Sequence, residues 1–308
     1  MTIESVLTEL ADLDKQVRTA SLAQLSGLLP EDLESLQAQW NAIAPERREE
    51  ILIHAVDLTE ENVEMDFQVL FSYCVADPVA KVREKAVHGL WESDDRRNIA
   101  LLSDHLENDS DSAVRAASAT ALGRFATLGQ EGKLVAKDAE RVHDVLMDAL
   151  EDTDEDLEVR RRALESVATF PEGNIREWIE WAYSSNEQGL KCSAVFAMGR
   201  TVDASWLPVI LQEMDSPDAP MRYEAANASG ELGEEDAIPR LAELLDDSDS
   251  QVQIGAIHAL ACIGGISAKK LLRKCAKSDD DSLREMAEEA LEVMDMEETP
   301  LSFRHSLT

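Results

Sequence analysis

Ile238-Pro239-Arg240-Leu241-Ala242-Glu243-Leu244-Leu245 runs straight into Asp246-Asp247-Ser248-Asp249, and then into Val252-Gln253 with Ala256 and Leu260 beyond. The apolar residues of the first stretch fall at helical spacing. Pro239 stands in the first turn, where its missing N–H costs no hydrogen bond. Four polar residues break the pattern. Val252, Ala256 and Leu260 then line one stripe of a second helix. The unit is a helix, an acidic turn and a helix.

The second-helix signature is an aliphatic residue, a cation, a small residue three positions on and an apolar one four later. It reads Val82-Arg83 with Ala86 and Leu90, Val114-Arg115 with Ser118 and Leu122, and Val159-Arg160 with Ala163 and Val167. It returns at Leu190-Lys191, Met221-Arg222 and Leu283-Arg284, and it opens at Val17-Arg18. The cation slots stand at 18, 83, 115, 160, 191, 222, 253 and 284, so the last four intervals are all 31 residues. The interval of 65 accommodates a degenerate copy around Arg48-Ile51-Ala55, preceded by a helix through Leu33–Ile43. The interval of 45 carries an insertion at about 127–139. That makes about nine repeats.

An acid lies four residues before the cation slot at Asp14, Asp111, Asp156, Glu187, Asp218, Asp249 and Asp280. There it is expected to cap the second helix and complement its dipole. Gly27, Gly123, Gly199, Gly233 and Gly264 suit helix stops or close helix contacts. A single hairpin cannot bury both of its apolar faces, whereas stacked hairpins cover one another. The expected fold is all-α: an α-α superhelix (α-solenoid) over residues 1–294, read as one elongated domain, with 295–308 as a flexible tail.

These residues resemble HEAT repeats. The resemblance rests on Asp/Ser-Pro-x-x-x-Val/Met-Arg, the small residues of the second helix and the 31-residue period, and it spans about residues 5–293. The short period is similar to the bilin-lyase-type HEAT-like subclass. The resemblance implies a scaffold or adaptor, with chromophore handling as the alternative. It also implies a ladder in which each repeated Arg pairs with turn acids of a neighbouring repeat. Arg18, Arg83, Arg115, Arg160, Arg222 and Arg284 match that pattern, while Lys191 and Gln253 depart from it. The tetratricopeptide pattern of Trp-Leu-Gly-Tyr and Ala-Phe-Pro is missing.

The chain of 308 residues holds 63 acidic and 29 basic side chains, a formal charge of −34. Such a field repels phosphate backbones and leaves no polybasic membrane patch. It favours a basic protein partner, reached faster at low salt. Hydrophobic residues still make up 44%, which excludes a disordered acidic tail. The opening Met1–Ser5 has no basic n-region followed by an apolar run, and no stretch suits a membrane span. Cys74, Cys192, Cys262 and Cys275 lie far apart, and the expectation is buried, reduced thiols in a cytoplasmic protein.

Catalytic patterns are missing. No His is followed by Glu, so the His-Glu iron pairs of HEAT-repeat hydroxylases are not matched, and the HEAT-type DNA glycosylases need a basic groove. Asp152-Thr153-Asp154-Glu155-Asp156 opens like an EF-hand loop, but Leu157 and Ala163 stand where Gly and Glu are required. There is no P-loop, dinucleotide fingerprint or nucleophile elbow. The reading is noncatalytic, with no cofactor and no metal.

What remains is surface. The resemblance places the second helices along the concave side, and positions one and five after the cation slot lie off the core stripe. Most of these pairs are polar, such as Glu84/His88, Arg161/Glu165 and Glu285/Glu289. Cys192/Phe196, Tyr223/Asn227 and Ile254/His258 are more apolar, and they form the candidate partner-binding strip. Seven of the fourteen aromatic residues lie between Phe170 and Tyr223. Of these, Trp178 and Trp206 are expected to pack between helices.

Overall fold

The computed structural model describes residues 2–29, 32–170 and 174–298. The described residues form helices and turns with no strand, and they divide into two compact units, Met1–Phe170 and Pro171–Thr308. Unit 1 holds α1 (Ile3–Leu10), α2 (Thr19–Leu22), α3 (Leu33–Trp40), α4 (Pro45–Glu61), α5 (Gln68–Cys74), α6 (Ala80–His88), α7 (Arg97–Asn108), α8 (Ser112–Gln130), α9 (Ala136–Glu151) and α10 (Leu157–Val167). Unit 2 holds α11 (Ile175–Tyr183), α12 (Gln188–Arg200), α13 (Leu207–Glu213), α14 (Ala219–Leu232), α15 (Ile238–Leu244), α16 (Ser250–Ile263), α17 (Gly265–Cys275) and α18 (Asp281–Glu298). Taken in pairs these are nine hairpins among the described residues, five in unit 1 and four in unit 2. The degenerate repeat is real: α3 and α4 are its two helices.

Stacking joins like helices. Along unit 1, α2, α4, α6, α8 and α10 pack in succession; along unit 2, α12, α14, α16 and α18 do the same. The fold is therefore an α-solenoid. The repeated slots are its core: Val82, Ala86 and Leu90 are fully buried, as are Val114, Ser118 and Leu122, and likewise Val252, Ala256 and Leu260. Pro208 and Pro239 take first-turn positions of α13 and α15.

The small residues explain how closely the second helices approach. A Cβ placed on Gly199 would lie 2.7 Å from the Ala228 Cα, and one on Gly230 would lie 2.8 Å from the Ala259 Cα. Both glycines stand eight residues after a cation slot, and both alanines six after the next. Unit 1 repeats the register, with Gly123 set against Ser166, whose hydroxyl donates to the Ala119 carbonyl at 2.8 Å. Gly27, Gly233 and Gly264 do the other job, ending helices with φ near +70° (+66°, +70° and +73°).

The ladder forms, and its joint is an acid in the turn. Arg83 donates to both Asp109 carboxylate oxygens, at 2.8 and 2.7 Å, and to the Asp77 carbonyl at 3.0 Å. Arg115 holds Glu155 and the Asp109 carbonyl, and Arg222 holds Asp247 and the Ser216 carbonyl. Asp109 and Asp247 each also accept the N–H two residues on. In the degenerate repeat Arg48 pairs with buried Asp77 at 3.2 Å, and the Trp40 indole donates to the same carboxylate at 2.9 Å. Hydrogen bonds from Arg222 hold the Asp247 carboxyl below its ordinary range.

Several expectations need correction. Arg18 matches the signature but is exposed, and among the described residues it meets only Glu9, at 3.7 Å, so no first rung is seen there. Asp111, Asp156, Asp249 and Asp280 accept N–H groups at the starts of their helices, whereas Glu187 and Asp218 make no side-chain cap and Asp14 does not adjoin α2. Only Cys74 is fully buried; Cys192 and Cys275 are half-buried and Cys262 is exposed. The stretch 127–139 is largely helix, extending α8 and supplying the first turn of α9. The last helix continues to Glu298, and residues 299–308 of the expected tail lie outside the described residues.

Alanine ordinarily stabilises a helix interior by about 1 kcal/mol relative to glycine. At Gly230 the new Cβ meets backbone rather than a flexible side chain, so overpacking of about 1–3 kcal/mol dominates. Gly230→Ala is expected to lower the urea midpoint of unfolding. A raised midpoint would show that α14 and α16 do not approach this closely.

Candidate functional site

With the same period in three successive second helices, Cys192, Tyr223 and Ile254 repeat one slot and Phe196, Asn227 and His258 repeat another. The structure places all six on the uncovered side of α12, α14 and α16. Phe196 and His258 are exposed and the other four are half-buried, while their neighbours Ala194, Met198, Ala225, Ala256 and Leu260 are fully buried. The close helix approach brings the Tyr223 ring over α16: a Cβ on Gly255 would sit 3.0 Å from the Tyr223 Cδ2 and 3.5 Å from the Asn227 Oδ1. Tyr223 and Asn227 therefore lean over Gly255 of α16. The His258 imidazole and the Cys262 thiol stand 3.9 Å apart on the exposed flank. Among the described residues no three His, Cys, Asp or Glu side chains converge as a metal-ligand set.

The aromatic cluster mostly packs. Trp206 is buried under Arg176, whose guanidinium lies 4.2 Å from the ring centroid, and half-buried Trp178 meets Trp181 edge to face at 5.4 Å. Among the described residues of unit 2, Trp181 and Phe196, 38% and 36% exposed, are the aromatic side chains left open. Tyr183 is half-buried and donates its hydroxyl proton to the buried Glu213 carboxylate. Burial first, and the hydrogen bond to Glu213 second, push its phenol up to about 12. Lys191 lies 5.0 Å over the same ring. The departure from Arg at that ladder position thus has a local use: the turn ahead offers Ser216 in place of an acid, and the shorter ammonium packs on Tyr183 instead.

Unit 1 has an open groove that the slot pairs signalled only in part. It encloses about 480 Å³ between α4, α6 and α8, with His88 and Thr120 on its wall. Those two are fifth-position residues of their repeats. Ile53, Val56 and Trp91, which form its apolar surface, were not singled out from the sequence. A signal existed: Trp91 stands eight residues after Arg83, the slot that Gly123, Gly199 and Gly230 hold elsewhere.

The chain belongs to the HEAT-repeat family, whose model matches residues 67–168, 175–253 and 207–292. No curated protein matches it. Among solved structures it is similar to the complex of CpcE and CpcF of phycocyanin lyase from Nostoc sp. PCC7120, with 18% identity over 73% of this chain and 86% of that chain, at a TM-score of 0.53. It also matches human deoxyhypusine hydroxylase (16% identity, 95% and 97% covered, TM-score 0.37) and importin beta (14%, 94% and 41%, TM-score 0.45). At these identities the likeness is one of fold. No helix of the described residues is long and apolar enough to cross a membrane.

Loss of the Tyr183 hydroxyl would leave the Glu213 carboxylate buried without its donor. Tyr183→Phe is expected to destabilise unit 2 by about 1–3 kcal/mol near neutral pH. Because the folded phenol keeps its proton up to about 12 and the unfolded one loses it near 10.0, this contribution is complete below the lower value and fades as pH rises through the interval. Urea unfolding of wild type and variant at neutral and alkaline pH checks both the loss and its convergence.

Proposed function

We propose that the protein is a noncatalytic protein-binding scaffold and that the strip formed by Cys192, Phe196, Tyr223, Asn227, Ile254 and His258 holds its partner, along what would be the concave side. The observation that supports this most directly is the open side of α12, α14 and α16. Three consecutive repeats present apolar, aromatic or amphipathic side chains there at slots where the other repeats carry mostly polar ones. Aromatic anchors with a polar surround dominate protein interfaces. The net charge of −34 favours a basic partner, speeds its association and opposes nucleic acid. The same reading puts the protein in the cytoplasm, without membrane insertion.

Affinity capture from the source cells, followed by mass spectrometry, tests the strip. Wild type is expected to retain a defined set of proteins, and Phe196→Ala with Tyr223→Ala to lose it by about tenfold or more at unchanged circular dichroism. Equal capture by the double variant would sink the assignment.

A second reading, that of a chromophore-handling protein akin to bilin lyases, draws on the short repeat period and on the likeness in fold to the CpcE–CpcF complex. Mixing the purified protein with a linear tetrapyrrole decides it cheaply. This reading expects a shifted absorption spectrum and transfer to an acceptor protein; an unchanged spectrum removes it.

A further inference from the structure

The groove of unit 1 is built from a local departure in the repeat. In three repeats a glycine eight residues after the cation slot lets successive second helices approach closely, Gly199 and Gly230 against backbone and Gly123 against Ser166. At the equivalent slot after α6 the chain carries Trp91, and α6 has already ended at His88. Gly89 lets the chain turn there against Phe71: a Cβ would fall 2.5 Å from that ring. The Trp91 indole then projects into the space between α4, α6 and α8 and stays 45% exposed, with Ile53 at 38% across from it. Neither large apolar side chain is covered by the fold.

Charge on the walls is one-sided once internal pairs are counted. Lys85 is 3.1 Å from Glu84, and His88 is 3.7 Å from the same carboxylate. Arg162, whose charge also reaches His88, is held by Glu158 and Glu165, each at 2.8 Å. Among the described residues of the α4 wall, Asp57 has only exposed His54, at 3.9 Å, and Glu60 has no ion pair. The cations beside the groove are neutralised, while carboxylates remain to be neutralised.

We propose that this groove docks a basic protein segment, with one large apolar side chain set between Trp91 and Ile53 and Lys or Arg residues flanking it to meet Asp57 and Glu60. An open groove of about 480 Å³ covers one side of an occupant, which suits an extended or helical segment anchored by one or two side chains. A Trp face also attracts Lys and Arg. The site is separate from the strip on α12, α14 and α16, and it stands or falls without it.

A displayed library of random peptides of about twelve residues, selected on the purified full chain, provides the probe. Selected peptides are expected to combine Lys or Arg with Leu, Phe, Met or Trp, to quench Trp91 fluorescence, and to bind more weakly as salt rises. Trp91→Ala should raise Kd by about tenfold or more. Asp57→Asn with Glu60→Gln should raise it comparably and flatten the salt dependence, while Phe196→Ala with Tyr223→Ala should leave it unchanged. Both groove changes lie at exposed side chains, and circular dichroism verifies folding. An acidic or uncharged consensus, no enrichment above background, or a Kd unmoved by both groove variants would overturn the proposal.

Discussion

A helical hairpin of about thirty residues has apolar surface on two sides, and no hairpin can cover both sides of itself. Every regularity in this chain follows from that constraint. Successive second helices must lie side by side, so the residues between them have to be small: Ala86, Ser118, Ala163, Ala194, Ala225 and Ala256 are all fully buried. Where two backbones meet, even a methyl group is too much, and glycine fills the slot at Gly199 and Gly230. The strict 31-residue interval over the last four repeats keeps these slots in register within unit 2.

The turn between the two helices of a hairpin carries the second constraint, since its polar groups are close to the core. Asp109 shows how one residue meets it. Its carboxylate takes Arg83 of the preceding hairpin and the N–H of Asp111, and its carbonyl takes Arg115 of its own hairpin. At two positions both sides of the rung depart from the Arg-and-acid pattern. Lys191 faces a turn with Ser216 in the acidic position, and Gln253 faces one with Ser278. Gln253 keeps the carbonyl half of the joint, donating to Asp247 at 2.8 Å. A cation without its carboxylate, or a carboxylate without its cation, would be desolvated for nothing. Gln253 and Ser278 drop both charges, while Lys191 keeps its charge and packs on Tyr183. Much of the acidity of the turns is therefore structural.

The fold was legible because its determinants are local and periodic. A Val-Arg signature with a small residue three positions on reports burial directly, and even the degenerate third and fourth helices could be placed from Arg48, Ile51 and Ala55. Arg18 was misread because the signature encodes only one half of a rung. Its exposure depends on α2 being a single turn long, which the pattern at Val17-Arg18 does not reveal. The cysteines were misjudged for a related reason: Cys192 and Cys262 follow the helix period onto the open side, and a small apolar residue tolerates either side. The strip on α12, α14 and α16 comes from slot arithmetic alone, which counts positions one and five after the cation as lying off the core stripe. The groove in unit 1 does not, because α4 belongs to the degenerate repeat and has no cation slot from which to count Ile53 and Val56.

The slots differ in how freely they can carry function. Positions one and five lie off the core stripe and take side chains as different as Glu84, Cys192 and Tyr223, although Tyr223 and Asn227 also reach over Gly255 of α16. The slot eight after the cation is different: in three repeats it is glycine with the next second helix lying close against it. Putting Trp91 there forfeits a close helix contact, and the ring recovers little of the loss, remaining nearly half exposed. A large apolar side chain that neither completes the core nor lies on an indifferent surface is costly to keep in water. That cost is offset when another apolar surface covers the ring, and the carboxylates left over on α4 set the charge of whatever does so.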